Sequence, residues 1–265
     1  MSAPTLHNVP ESAYELGDLV EDFPVSREEL WVNLLCVPPL LGVAAWIVYA
    51  RVPNLLQPQS LVELLILGGG SLAVLGGIAW GITIIAKAYR NREMRILVFD
   101  DGLVCFRPDG VFGCRWDEID STCEGLYDLH VAQVRALSIQ CRDGRTFKLS
   151  HATDMVKNFP RLIELVERKV AEQLLPAARD ELRAGHTLDF HELKLSSDGV
   201  VHGGRLLPWA EVEGIHEEQF RVTVEQSGAY LTWAAVATGN LTNKRLLLEL
   251  ASERGTNVTW DVSHA

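Results

Sequence analysis

Residues 95–116 read RILVF, DDG, LVCFR, PDG, VFGCRW in unbroken order. Three short apolar runs are separated by two turns that each contain Asp-Gly. An Asp-Gly step between apolar runs is a strong hairpin signal, because both residues tolerate the left-handed backbone of a tight turn. The same grammar continues downstream: VRALSIQ at 134–140 and TFKLS at 146–150 flank a turn at Arg142-Asp143-Gly144. The period then lengthens. Phe159, Leu162, Ile163, Val166 and Val170 recur every three or four residues, which predicts an amphipathic helix over about 155–174, ended or bent by Pro176.

This order of elements recurs. TLDFHELKL at 187–195 reads as a strand, Ser197-Asp198-Gly199 as a turn, and RLLPW, RVTVE and YLTWAAV as further strands before a helix over about 242–253. Two local matches point to a duplication. Asp101-Gly102-Leu103-Val104 resembles Asp198-Gly199-Val200-Val201, and Trp116-Asp117-Glu118-Ile119 resembles Trp209-Ala210-Glu211-Val212 in the same relative place. Each unit is expected to hold several antiparallel strands and a closing helix, the first over 87–184 and the second over 185–256, with a tail over 257–265. Trp116 and Trp209 are expected as large core plugs at strand ends, with Glu118 and Glu211 on the exposed alternating face.

Upstream, the composition differs. Residues 30–50 are free of charge, and residues 61–86 carry only Glu63. Helices of these lengths would span about 30 Å, the thickness of a hydrocarbon core. The loop 51–60 between them is short, so the reading is a helical hairpin with both termini on one side. Lys87, Arg90, Arg92 and Arg95 follow the second run, whereas the loop offers only Arg51. These four cations are read as topology determinants or contacts to anionic lipid, and their bias places both termini in the cytoplasm. Gly70, Gly77 and Gly81 form a small-residue face that suits close packing on the first helix or on a second copy of the chain.

Composition excludes some functions. The net charge is −11, and the first 29 residues, read as an acidic tail, hold seven acids against one Arg. No broad basic face suggests nucleic acid. The five cysteines, at 36, 105, 114, 123 and 141, include no CxxC pair, so free buried thiols are expected rather than a disulfide framework or a zinc site. Hydrolase and P-loop motifs are absent. The GxGxxA match at 68–73 follows no strand and is dismissed as a dinucleotide site. His186, Asp189 and His191 form the densest metal-like cluster, but a strand would turn residue 186 away from the other two. No catalytic residue, metal or cofactor is expected.

A strand, a DG turn, a second strand, then a stretch ending in W-x-E-[IV] and a closing helix resemble the pleckstrin-homology-like domains of uncharacterised bacterial membrane proteins. The likeness covers about residues 12–250. It implies a membrane α-helical hairpin joined to tandem small antiparallel barrels, each closed by a C-terminal helix, in a two-pass bacterial inner-membrane protein. The expected partners are the bilayer, an unidentified protein and a second copy of the chain. The expected function is non-catalytic binding or scaffolding, with two alternatives: a lipid or small-ligand sensor using the barrel mouth, and a membrane enzyme with polar residues converging around His186 to His191.

Overall fold

The structure is a computed structural model that describes residues 16–26, 91–128, 133–218 and 221–259, with scattered positions between 28 and 90. Each of two consecutive units contains a four-stranded sheet, a second sheet and a closing helix. In the first unit, β1 (Leu19–Pro24), β2 (Arg95–Phe99), β3 (Gly102–Arg107) and β4 (Gly110–Arg115) pair in chain order. β5 (Ile119–Asp128), β6 (Gln133–Cys141) and β7 (Thr146–Ser150) form the second sheet. A one-turn α1 (His151–Asp154) leads into the long α2 (Phe159–Arg183).

The second unit repeats this plan. β8 (Leu188–Asp189), β9 (Leu193–Leu195), β10 (Gly199–His202) and β11 (Arg205–Pro208) make one sheet. β12 (Val212–Glu218), β13 (Arg221–Gln226) and β14 (Ala234–Ala237) make the other, and α3 (Lys244–Ser252) closes the unit. β15 (Asn257–Thr259) then joins β12 in parallel. Both closing helices begin just after an asparagine in the left-handed region, Asn158 (φ 54°) and Asn243 (φ 48°). Asn is among the few residues that reach this conformation at low cost.

The duplicated motifs do the same work in both units. After each four-stranded sheet the chain makes one 3-10 turn, Trp116–Glu118 or Trp209–Glu211. The Trp116 N–H donates to Asp101 O at 3.0 Å and the Trp209 N–H donates to Asp198 O at 3.1 Å. The indole Nε1 of Trp116 donates to Asp100 O at 2.9 Å, and that of Trp209 to Ser196 O at 3.1 Å. Each tryptophan is thereby fastened to the DG turn. The glycine of that turn has no room for a side chain: a Cβ on Gly102 would lie 2.5 Å from Cys114 O, and one on Gly199 would lie 2.0 Å from Leu207 O. Trp116 is buried as expected, whereas Trp209 is only partly buried against its core.

Several expectations need correction. The units are not closed barrels: among the described residues the strands form four separate open sheets, with no pairing between β4 and β5. The 3-10 turn redirects the chain before β5, and side chains rather than backbone seal the first unit. Phe112 of β4 stacks on Phe147 of β7, with centroids 4.5 Å apart and planes at 10°. The Arg107 guanidinium lies 4.5 Å from the Phe147 centroid, and that of Arg145 lies 5.6 Å from Phe112.

The expected helical hairpin is also not supported. Among the described residues no helix is long and apolar enough to cross a membrane. The longest, α2, carries charge along one face, with Arg161, Glu164, Arg168 and Glu172 exposed to solvent or partly so. The described residues therefore do not support the two-pass assignment, nor the inner-membrane localisation and the cytoplasmic placement of both termini that rested on it. Segments 30–50 and 61–86 lie outside the described residues, apart from scattered positions.

Two segments read as tails belong to sheets. β1 comes from the acidic stretch before residue 30. Phe23 enters the core there, while Asp22 binds Arg95 and Glu21 pairs with Arg161 at 3.6 Å. β15 comes from 257–265. Finally, α2 passes through Pro176 instead of ending there, because both halves have a core to enter. Phe159, Leu162, Ile163, Leu165, Val166 and Val170 fill the first core, whereas Ala171, Ala178 and Leu182 fill the second.

Substituting Gly199→Ala is expected to lower unfolding stability by about 1–3 kcal/mol or more, because the clashing atom is backbone. Gly113→Ala, whose Cβ would meet nothing nearer than 3.9 Å, should stay within about 0.5 kcal/mol of the parent. Urea titration of both variants checks the pair.

Candidate functional site

The densest group of buried charges lies at the seam between the units. α3 starts at Lys244, and its first turn carries this side chain into the interior, where the residue is 6% exposed. Its Nζ is 2.7 Å from Glu124 Oε2 on β5, 2.6 Å from Glu217 Oε1 on β12 and 3.5 Å from Glu167 Oε2 on α2. Arg135 on β6 adds a second cation, 3.8 Å from Glu124. Two carboxylates thus come from the first unit and its helix, and one comes from the second.

Next to this cluster, Asn243 stitches the units together through its amide. Its Oδ1 accepts from the Thr122 N–H at 2.9 Å, its Nδ2 donates to Asp120 O at 3.2 Å, and its own N–H donates to Thr122 O at 2.8 Å. The Cys123 thiol donates to Gly239 O at 3.4 Å.

Electrostatics decides what this cluster can do. Burial alone would push the Lys244 ammonium down, but the carboxylates of Glu167, Glu124 and Glu217 outweigh it and hold it above its ordinary value. A lysine that acts as nucleophile or base needs the opposite shift. Burial pushes Glu167 up to about 7, against the pull of Lys244 and with the repulsion of Glu124 and Glu217. The two directions fit together once the charges are weighed: the ammonium is satisfied by the two nearer carboxylates, and Glu167 is the surplus acid. The arrangement is a charged lock between units.

A second constellation has the order of a hydrolytic triad. His216 Nδ1 is 2.7 Å from Thr259 Oγ1, and Nε2 is 3.2 Å from Glu225 Oε2. Register explains it: His216 faces Thr259 across the β12–β15 pair, and Glu225 pairs with the neighbouring Gly214. Surface cavities of about 600, 190 and 90 Å³ are lined by other residues, so none of these would hold an acyl group against Thr259. The contacts form a cross-strand ladder that supports β15.

The surface cavities are shallow. One of about 600 Å³ is lined by Tyr89, Arg90, Arg92, Phe106, Arg107 and Val111. A second of about 90 Å³ lies beside Asp100, Asp101, Trp116 and Lys169, and a third of about 190 Å³ lies between α2 and α3.

The residues singled out from sequence fall in different places. Arg90 and Arg92 border the large cavity, and Arg92 also lies over the Tyr89 ring, 4.3 Å from its centroid. Arg95 turns instead to Asp22 in a two-pronged pair, Nε to Oδ1 at 2.7 Å and Nη2 to Oδ2. Lys87, Gly70, Gly77 and Gly81 lie outside the described residues. His186, Asp189 and His191 do not converge on a metal: Asp189 accepts from the His191 N–H at 2.8 Å and pairs with Lys194 at 2.6 Å. Among the described residues no group of His, Cys, Asp and Glu could hold a metal ion. The Lys244 cluster was not legible in sequence, since its members are separated by up to 120 positions. The only local signal is a lysine on the apolar face of the closing helix, among Leu246, Leu247, Leu248 and Leu250.

A family model of unknown function, DUF6585, matches residues 5–259. The chain belongs to the DUF6585 family. A search of curated proteins finds no match. The DUF6585 match runs from before β1 to the end of β15, so both units and the seam fall within it.

Removing the ammonium while leaving its carboxylates should be severe. Lys244→Met is expected to cost about 3–5 kcal/mol, whereas breaking the solvent-screened Arg179–Glu253 pair with Arg179→Ala should leave stability close to that of the parent. Glu167 also predicts a pH dependence. Its folded pKa is raised, so the folded chain holds this proton more tightly than the unfolded one. That contribution is complete below the ordinary glutamate range and disappears as pH rises to about 7. Glu167→Gln should flatten the stability profile across that window in chemical denaturation at stepped pH.

Proposed function

We propose that this chain is a non-catalytic binding module composed of two pleckstrin-homology-like units joined as one platform. A four-stranded sheet followed by a three-stranded antiparallel meander and a closing helix, present twice, supports the fold reading. One observation carries the functional reading. The loop between β13 and β14 presents Tyr230 at 106% and Leu231 at 83% exposure. An adjacent Trp233 supports them, with the Arg205 guanidinium 5.6 Å from its ring centroid and His202 edge-on at 6.1 Å. Aromatic residues and arginine grouped on a surface are the side chains that dominate binding energy at protein interfaces.

The test is in-cell photo-crosslinking with a photoreactive residue in place of Leu231. One defined protein, which includes the case of a second copy of this chain, should be captured. Tyr230→Ser should abolish capture while moving stability by no more than about 0.5 kcal/mol. Equal capture from a probe at Gly144, in the β6–β7 turn, would overturn the reading.

The cavity of about 600 Å³ favours a second reading, a small amphiphilic anion held near Arg90 and Arg92, the latter also 3.4 Å from Glu93, with its apolar part against Phe106 and Val111. Its volume lies within the usual range for small-ligand sites. Calorimetric titration with a short alkyl phosphate should show saturable binding that weakens about tenfold in Arg90→Ala, a loss of about 1.4 kcal/mol.

A further inference from the structure

Cys114 on β4 and Cys141 at the end of β6 belong to different sheets of the first unit. Their sulfurs are nonetheless 3.0 Å apart, closer than two non-bonded sulfur atoms rest. A bond would need them at about 2 Å, so the sulfurs have about 1 Å to close. Both residues are buried, at 2% and 1% exposure, in the core that also holds Trp116, Ile119 and Phe147. The other described cysteines are engaged differently: Cys123 with Gly239 at the seam, and Cys105 within β3.

We infer that Cys114 and Cys141 are a site of reversible disulfide formation that cross-links the two sheets of the first unit. The oxidant is a small-molecule disulfide. One cysteine thiolate attacks it, forming a mixed disulfide and releasing one small thiol. The second cysteine thiolate then attacks the protein sulfur of that mixed disulfide, forming the Cys114–Cys141 bond and releasing a second small thiol. The two cysteines lose two electrons and two protons in total, and the oxidant is reduced to two thiols.

The position gives the bond a mechanical consequence. β4 and β5 do not pair, and near β7 the Phe112–Phe147 stack is joined by Arg107, which donates to Lys148 O at 2.6 Å, and Arg145, which donates to Gly113 O at 3.2 Å. A covalent link from β4 to β6 would fasten the sheets where the backbone does not. Burial pushes the Cys114 thiol well up, reinforced by its contact with Cys141, so exchange at neutral pH is slow and waits on local opening.

The experiment uses the full chain, reduced and then equilibrated with oxidised glutathione. Peptide mapping without reductant should recover the peptide containing Cys114 joined to the one containing Cys141, with the mass reduced by two hydrogens. The melting temperature should rise by roughly 5–10 °C and return on reduction. Cys114→Ser and Cys141→Ser should each lose the shift, while Cys123→Ser should keep it. Recovery of only glutathione adducts, of a link to Cys36, Cys105 or Cys123, or of unmodified thiols would overturn the inference. Because the mapping is done on the natural sequence, it stands even if a serine variant fails to fold.

Discussion

The buried ammonium of Lys244 sets the condition under which the two units can coexist. Taking an ammonium out of water costs several kcal/mol unless anions replace the solvent. Here the replacements come from three elements, β5, α2 and β12, and no single unit supplies all of them. The charge is therefore satisfied only when both units are docked. The reverse also holds, since three carboxylates gathered without the lysine would repel one another. A buried ion of this kind adds less to stability than an apolar contact of similar size, but it tolerates few alternative arrangements.

The long helix α2 makes that docking geometrically unavoidable. Its first half lies in one core and its second half in the other, with Leu174 touching both. A stiff helix fixes the separation of the two cores, and Asn243 then fixes their rotation through hydrogen bonds to β5. Within each unit a smaller device repeats: a tryptophan on a 3-10 turn is held by the DG turn, where only glycine fits beneath a passing carbonyl.

Among the described residues, the converging polar groups and the exposed apolar and cationic features lie in different places. The polar groups that converge are inside, where Lys244 is held charged and unreactive, or lie along a strand pair, where His216 serves as a rung. The features facing solvent are an aromatic loop on the second unit and a cation-lined depression beside the first. Neither brings a nucleophile and a base together. Among the described residues, that division is what supports the proposal of a binding surface.

The duplication was legible because it is written in contiguous residues. Asp101-Gly102 with Trp116-Asp117-Glu118, and Asp198-Gly199 with Trp209-Ala210-Glu211, each sit within one hairpin, so spacing alone reveals them. The apolar period of α2 was legible for the same reason. Its passage through Pro176 was not, because that depends on a second core for Ala178 and Leu182. β1 was read as an acidic tail because Glu21 and Asp22 are charged, and only the fold supplies Arg161 and Arg95 opposite them. Open sheets in place of barrels, the Lys244 lock and the Cys114–Cys141 approach were likewise decided in three dimensions. Local periodicity determines which face of an element is apolar. Which distant faces meet, and which charges are then buried together, depends on packing between residues far apart in the chain, and spacing carries no record of it.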